Sequence, residues 1–139
     1  MERSRLTRIG VITLITLCLM LTSVALHAQQ TGPLAVESAV ICQDVLDLRP
    51  SGAGTVFPAS VGKLYYFTKI VHANPPTQVT HVWYYGDTER ARVSLRVNST
   101  SWRTYSSKII QSHETGVWYV DVLGPGGNRL TSTTFEVTP

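Results

Sequence analysis

Cysteine is scarce in this chain, which has two among its 139 residues, Cys18 and Cys42. Cys18 lies inside an apolar N-terminal run that is typical of a signal peptide. Once that run is removed, Cys42 has no partner for an intramolecular disulfide. The rest of the chain must therefore be held together by packing or by pairing with a second chain.

A clustered basic surface is also lacking. Without residues 1–28, nine basic and eight acidic residues remain, so most of the net charge of +3 belongs to the N-terminal segment. Arg90, Arg92 and Arg96 alternate with apolar residues in "ERARVSLRVN", which predicts the solvated face of an amphipathic strand. Nucleic-acid binding needs a clustered basic face, and we expect no nucleic-acid partner.

The usual signatures of catalysis and cofactor binding are missing. There is no "GxSxG" elbow, no recognisable carboxylate pair, and no glycine loop that leads into a phosphate-binding helix. His72, His81 and His113 are 9 and 32 residues apart, which matches no local metal-ligand spacing. We therefore expect no catalytic residues, no metal and no cofactor. A triad assembled in space leaves a hydrolase as the least favoured alternative.

The N-terminal segment indicates export. "MERSRLTR" carries three arginines, and an uncharged, largely apolar run of 18 residues follows from Ile9 to Leu26. Small residues at Ser23, Ala25 and Ala28 offer cleavage sites, so residues 1–28 are predicted to be a signal peptide. An uncleaved membrane anchor is the alternative, because the run is near the lower length limit of a membrane span. Both interpretations place the rest of the chain in the periplasm or outside the cell.

The exported part is long enough for one domain. After a short leader at 29–35, residues 36–139 show no helical period and carry strand patterns about ten residues apart, with a proline- and glycine-rich loop at 47–60. This pattern predicts a single antiparallel β-sandwich of six to seven strands, immunoglobulin-like in broad shape. The first strand is apolar on both faces, which predicts a buried position that includes Cys42. The expected strands are 36–46, 62–72, 78–86, 91–99, 101–110, 117–123 and 129–137.

The stretch "SWRTYSSKII" at 101–110 has no apolar face, unlike an ordinary half-buried strand. It predicts a strand at a sheet edge or under a loop. We expect Arg103, Ser106 and Ser107 to tie the strand to loop backbone. Trp102 is expected to lie flat against the side chain of Lys108 or His81 as an aromatic–cation patch.

Two other aromatic positions complete the pattern. In "TQVTHVWYYG", His81 shares a face with Val79 and Trp83, where a histidine with two structural hydrogen bonds is favoured over a ligand role. Trp118 alternates with Val120, which predicts a core position. The candidate ligand or partner surface is formed by His81, Trp83, Trp102, Arg103, Ser106 and Lys108.

Four segments together resemble the bacterial family called domain of unknown function 2914: "VGKLYYFTKI", "THVWYYGD", "SWRTYSSKII" and "TGVWYVDVLGPGGNRLTSTTFEV". The resemblance runs from about Val40 to Val137. It implies a small exported or membrane-attached all-β domain with no assigned activity. The family pattern falls on His81, Trp83, Trp102, Arg103, Ser106, Lys108, Gly116 and Trp118.

The resemblance also implies one difference between this chain and many members of the family. Many family members carry a second cysteine where this chain has Tyr66, so a cross-strand disulfide from Cys42 is expected in them and not here.

Three function hypotheses follow. The first is a non-catalytic extracytoplasmic binding or assembly module with an envelope protein as its partner. The second is a domain that binds carbohydrate or a cell-wall polymer, using Trp102 and Tyr105 for stacking and Lys108 to contact an anionic group of the ligand. The third is the hydrolase. Contact with the membrane is expected only if the N-terminal segment stays uncleaved.

Overall fold

The computed structural model describes residues 32–139. The predicted signal peptide at 1–28 and the start of the predicted leader lie outside the described residues. Among residues 32–139, no helix is long and apolar enough to span a membrane.

The described part of the chain is built from strands. Seven of them are 8–10 residues long and correspond to the seven strands expected from the sequence. Three short strands and a one-turn 3₁₀ helix, Ala59–Val61, lie in the region that was expected to be the end of the first strand and a loop. In chain order the strands are β1 Ala35–Cys42, β2 Asp44–Leu46, β3 Arg49–Ser51, β4 Val56–Pro58, β5 Lys63–Val71, β6 Thr77–Tyr85, β7 Thr88–Val97, β8 Trp102–Ile109, β9 Gly116–Leu123 and β10 Arg129–Thr138.

The long strands form two sheets that pack face to face. A three-stranded sheet has the order β1-β5-β8, and a five-stranded sheet has the order β4-β10-β9-β6-β7. The all-β sandwich predicted from the sequence is confirmed. The five-stranded sheet is mixed, because the short β4 runs parallel to β10 while the other pairs are antiparallel. The finer likeness to immunoglobulin domains stays a prediction.

The core lies between the sheets and draws on both. β5 contributes Leu64, Tyr66 and Ile70, while β6, β9 and β10 contribute alternate residues from the opposite side. Trp118 is fully buried in this cluster, as predicted. Residues 32–139 thus contain a hydrophobic core to which both sheets contribute.

The first strand is buried only at its C-terminal end. Its two apolar faces predicted a buried position, which holds for Ile41 and Cys42, but β1 is an edge strand and its other residues are not buried. Strand β8 is the other edge of the same sheet, so the edge position predicted for "SWRTYSSKII" is confirmed.

A small hairpin, β2–β3, folds back over the outer face of the three-stranded sheet. Its two-residue loop, Asp47 and Leu48, has positive φ values of 51° and 54°, as the type I′ turn of a tight hairpin requires. Asparagine and glycine are the residues that favour this conformation, so a leucine there is strained. Leu48 is also 50% exposed. Leu48 therefore combines an unfavourable backbone conformation with an exposed side chain at the tip of the hairpin.

The sandwich has two distinguishable ends. At one end lie residue 32 and the segments 72–76, 98–101 and 124–128, with a backbone hydrogen bond of 3.1 Å from Ala73 N to Thr100 O. We call this the N-terminal end. The segments 59–62, 86–87 and 110–115 lie at the opposite end. The β2–β3 hairpin starts near the opposite end and points its tip toward Ser101 and Trp102 at the N-terminal end.

Cys42 is fully buried but lies outside the central core cluster. It is paired across the sheet with Tyr65, whose side chain is on the outer face, whereas Tyr66 faces the sandwich interior opposite Ile41. A cysteine in place of Tyr66 would therefore point away from Cys42. The cross-strand disulfide implied by the resemblance does not fit this register.

We predict that Cys42 reacts slowly with thiol reagents in the native protein. Burial raises the pKa of its thiol, more than the backbone hydrogen bonds of Ser51 and Asp44 lower it. The reactive thiolate is therefore depleted at neutral pH and shielded from solvent. Labelling with a maleimide should be slow without denaturant and complete with it. Rapid native labelling, or a dimer that disappears with reductant, would contradict the prediction.

Candidate functional site

A chain of buried hydrogen bonds crosses the interior between the two sheets. His81 and Trp83 come from β6, Ser106 from β8, and Thr68 from β5. Ser106 Oγ lies 2.8 Å from His81 Nδ1 and 3.0 Å from Trp83 Nε1. On the other side of the ring, His81 Nε2 lies 3.2 Å from Thr68 Oγ1, which donates to the backbone oxygen of Thr104 at 3.4 Å. We call these groups the histidine chain.

The groups at the two ends of the histidine chain determine which group donates and which accepts in each of its hydrogen bonds. The indole of Trp83 can only donate, so Ser106 accepts from it and uses its own hydrogen to donate to His81 Nδ1. At the other end the Thr104 carbonyl can only accept, so Thr68 donates to it and accepts from His81 Nε2–H. One neutral tautomer of His81, protonated at Nε2, satisfies all of these groups.

The surroundings of His81 favour that neutral form. Its ring is fully buried and packs edge-on against Tyr66, with ring centroids 4.8 Å apart. Burial lowers the pKa of His81 to about 3. A second proton on the ring would force Ser106 to accept hydrogen bonds from both Trp83 and His81. The hydroxyl hydrogen of Ser106 would then have no partner within the histidine chain. His81 is thus held neutral by both burial and hydrogen bonding.

The histidine chain explains the polar stretch at 101–110. Alternate side chains of β8, including Trp102 and Ser106, face inward, while Arg103 and Tyr105 face outward. Ser106 must be polar because it serves His81 and Trp83, so the inward face of β8 cannot be uniformly apolar.

The structure separates the six residues of the predicted surface into an inner and an outer set. His81, Trp83 and Ser106 do come together, but they are 0%, 0% and 5% exposed and present no surface. The two structural hydrogen bonds expected of His81 are confirmed. Ser106 was expected to bind loop backbone, which is wrong, because its partners are two side chains of the facing sheet.

The predicted aromatic–cation patch at Trp102 is wrong. Trp102 and Lys108 stand six residues apart on one extended strand, which separates them by about 20 Å. Trp102 is half-buried against the core, and Lys108 Nζ donates to the backbone oxygen of Ile109 at 3.0 Å. Tyr105 faces the other side of the strand, so Trp102, Tyr105 and Lys108 do not form one binding surface either. Arg103 is exposed on the outer face.

A second polar cluster, at the opposite end of the sandwich, was not predicted from the sequence. The Glu114 carboxylate accepts from Arg90 Nη2 and, at 2.9 Å, from the backbone N–H of Gln111. The Arg90 guanidinium lies over the rings of Tyr85 and Trp118, at 5.7 and 5.8 Å from their centroids. Trp118 Nε1 in turn donates to the backbone oxygen of Glu114 at 3.0 Å. We call this set the arginine cluster.

The arginine cluster fixes the segment that joins β8 to β9. The Glu114 side chain is only 1% exposed, and its burial raises its pKa. The Gln111 N–H and the charge and hydrogen bond of Arg90 outweigh that effect, so the net result is a lowered pKa. Glu114 therefore stays ionised and paired at neutral pH, as a structural group.

An open groove lies on the outer face of the three-stranded sheet, under the β2–β3 hairpin. Its volume is about 570 Å³, and a smaller neighbouring depression shares Leu48, Lys69 and Arg103 with it. Lys69 pairs with Glu37 at 2.5 Å, whereas Arg49 and Arg103 form no ion pair within residues 32–139. The groove thus combines two guanidinium groups with the apolar side chains of Leu48 and Phe67. Its lining is Glu37, Ser38, Val40, Leu48, Arg49, Pro50, Phe67, Lys69 and Arg103.

One further buried polar atom is Asp121 Oδ1, which has no hydrogen-bond partner among the described residues. Asp121 lies on the outer face of the five-stranded sheet between Val82 and Ser132, next to the stacked rings of Tyr84 and Tyr119. The atom is sealed by its neighbours, so it offers no open contact to a ligand. In the described part of the chain, no group of three or more His, Cys, Asp or Glu side chains could hold a metal ion.

Comparison with known proteins identifies the C-terminal part of the chain. Residues 76–137 match the model of a family described as "Protein of unknown function (DUF2914)". The match includes β6 to β10 and therefore His81, Ser106, Glu114 and Trp118. It begins at Pro76, so the resemblance suggested for residues 40–75 stays a prediction. No curated protein matches the chain.

We predict that His81 makes the domain sensitive to acid. The unfolded chain takes up a proton on His81 near its ordinary pKa of 6.5, whereas the folded protein resists it until about pH 3. Stability should therefore fall as the pH drops below about 6.5, by up to about 1.4 kcal/mol per pH unit from this group. In His81→Gln, urea unfolding between pH 7 and pH 4 should show a shallower decline.

His113→Gln is the matched control, because His113 is exposed; it should keep the wild-type slope. If His81→Gln does not fold, NMR titration of wild-type His81 gives the same information, since its ring signals should stay constant from pH 7 to pH 4. A midpoint near the ordinary value of 6.5 would show that the ring is not sealed.

We also predict that Trp118→Ala severely destabilises the domain. The variant loses a buried ring that stacks on Tyr85 and Phe135, and it uncovers the Arg90 guanidinium. Loss of a buried aromatic costs about 3–5 kcal/mol, a large part of the stability of a small domain. Trp102→Ala, at a half-buried site, should cost clearly less in the same denaturant titration. Equal losses for the two variants would be inconsistent with this assignment.

Proposed function

This chain belongs, through residues 76–137, to the family of domain of unknown function 2914, and on that premise we propose that it is a non-catalytic, extracytoplasmic binding or assembly module. Its ligand surface is the outer face of the three-stranded sheet, with the groove under the β2–β3 hairpin at its centre. The proposed location is the periplasm or the cell exterior, after export directed by residues 1–28. The proposed partner is a component of the cell envelope, with a protein as the first candidate.

The groove carries the proposal. Arg49 and Arg103 flank it without an ion-pair partner in residues 32–139. Guanidinium groups recognise carboxylates and phosphates through paired hydrogen bonds, so an acidic group on a partner fits between them. Leu48 is held above the groove in a backbone conformation that leucine disfavours. Strain of this kind is typical of binding loops.

The polar side chains of the interior support a non-catalytic role. Both ring nitrogens of His81 are engaged by hydroxyl groups, so the ring cannot take a proton from a substrate without breaking the histidine chain. Glu114 is engaged by Arg90 and by backbone. These groups fix the sandwich, so the proposed ligand contacts are left to the surface.

A wall polymer is the second candidate ligand. Tyr65 and Tyr105 pack edge-to-face at 6.0 Å on the same outer face as Arg103, and Lys63 lies over Tyr65 at 5.1 Å. Aromatic rings beside basic groups suit an acidic polysaccharide. This aromatic pair replaces the combination of Trp102, Tyr105 and Lys108 expected from the sequence.

Arg103→Ala should weaken ligand retention without affecting folding. Residues 29–139 would be immobilised and challenged with an envelope extract, and separately with peptidoglycan and an acidic polysaccharide. We expect Arg103→Ala to weaken retention about tenfold or more, the usual cost of removing a charged hydrogen bond. Its melting temperature should stay close to wild type, because Arg103 is exposed.

Arg92→Ala is the matched control, an exposed arginine on β7 of the other sheet. Retention of a single stoichiometric protein that depends on Arg103 would support the assembly module, and Arg103-dependent retention on a polymer would support the second candidate. Equal behaviour of both variants with every ligand, or turnover of an envelope substrate by the wild type, would overturn the proposal.

A further inference from the structure

The charged side chains of the domain are divided unequally between its two ends. The strand register assigns each charged residue to the N-terminal end, the opposite end or the middle row formed by Arg92 and Asp121. The N-terminal end has five basic and two acidic residues, and the opposite end has three basic and five acidic residues. The basic side chains at the N-terminal end are Arg49, Lys69, Arg96, Arg103 and Arg129.

This separation is not visible in the overall charge. Without residues 1–28 the chain has one more basic than acidic residue, so its net charge alone predicts little attraction to an anionic partner. The excess of three positive charges at one end and of two negative charges at the other gives the domain a preferred orientation toward a negative surface.

Apolar side chains share the basic end. The strained tip of the β2–β3 hairpin places Leu48 there, 50% exposed, and Leu46 beside it is 58% exposed. The half-buried Trp102 lies next to the hairpin tip. A basic rim with exposed leucines and a tryptophan is the composition that binds the interface of an anionic bilayer.

The position of residue 32, where the described part of the chain begins, also favours a membrane surface as the partner of this end. Residue 32 lies at the basic end, and the apolar run of the sequence ends at Leu26. The few residues between them can reach at most about 20 Å. Wherever that run occupies a membrane, the basic end is therefore the part of the domain within reach of the lipid headgroups.

We propose that the N-terminal end of the sandwich docks on the surface of an anionic phospholipid bilayer, with the hairpin tip at Leu48 in contact with the interface. The proposal goes beyond the groove ligand, because Arg96 and Arg129 belong to the five-stranded sheet and lie outside the groove.

The test uses residues 29–139, which include the hydrophobic core described above, and vesicles of phosphatidylcholine alone or of equimolar phosphatidylcholine and phosphatidylglycerol. The protein should float with the phosphatidylglycerol vesicles at low salt and not with phosphatidylcholine alone. Arg96→Gln/Arg129→Gln should weaken partitioning about thirtyfold, at about 1 kcal/mol for each basic side chain near the surface. Lys63→Gln/Lys108→Gln removes the same net charge from the opposite end and should leave partitioning unchanged.

Leu48→Asn separates membrane contact from folding. Asparagine tolerates a positive φ, so this variant should melt at the wild-type temperature or above it, while its partitioning falls several-fold. Equal losses in the two double variants, equal binding to both vesicle types, or no binding to either would overturn the docking proposal. Arg103-dependent retention of an envelope component would stand in each of those cases, so the two proposals fail separately.

Discussion

The hydrogen bonds of Ser106 Oγ join the two sheets at a point where ordinary apolar packing would not determine the register. The oxygen contacts His81 and Trp83 across the interior, and a one-residue shift of β8 toward one end would replace the serine with Tyr105. That shift would remove the small hydroxyl that serves the Trp83 indole N–H and the His81 imidazole, and a buried polar group left without a partner costs about 1–3 kcal/mol. The position of β8 as an edge strand, and with it the outer face that carries Arg103, depends on this contact.

The domain uses polar groups in its interior and at one of its ends for different purposes. The histidine chain is neutral throughout and specifies how the sheets face each other. The arginine cluster is ionic and secures the turn between β8 and β9, where Glu114 is buried beside Trp118. Neutral hydrogen bonds suit the interior, since burying an uncompensated charge there would be expensive. The ion pair lies where Arg90 can keep part of its side chain in water.

Sequence reasoning predicted the sandwich, the core position of Trp118, the edge position of β8 and the structural role of His81. It succeeded there because period-two patterns and aromatic content depend on local burial alone. It failed on Glu114, which lies in a turn with no periodic signal, and on the β2–β3 hairpin, whose Asp47–Leu48 loop lacks the asparagine or glycine that marks such turns. It also grouped Trp102 with Lys108 because they share a strand face, although about 20 Å of strand separates them. Residues on one face need not be neighbours.

The single proton direction of the histidine chain has an evolutionary consequence. Each group in the histidine chain donates to or accepts from the next one: Thr68, His81, Ser106 and Trp83. A substitution at one position therefore leaves a buried group at another without its hydrogen-bond partner. Replacing the serine by alanine, for example, removes the acceptor of Trp83 and the donor to His81 at once. We therefore expect related proteins to keep all four residues together, or to replace all four by apolar residues.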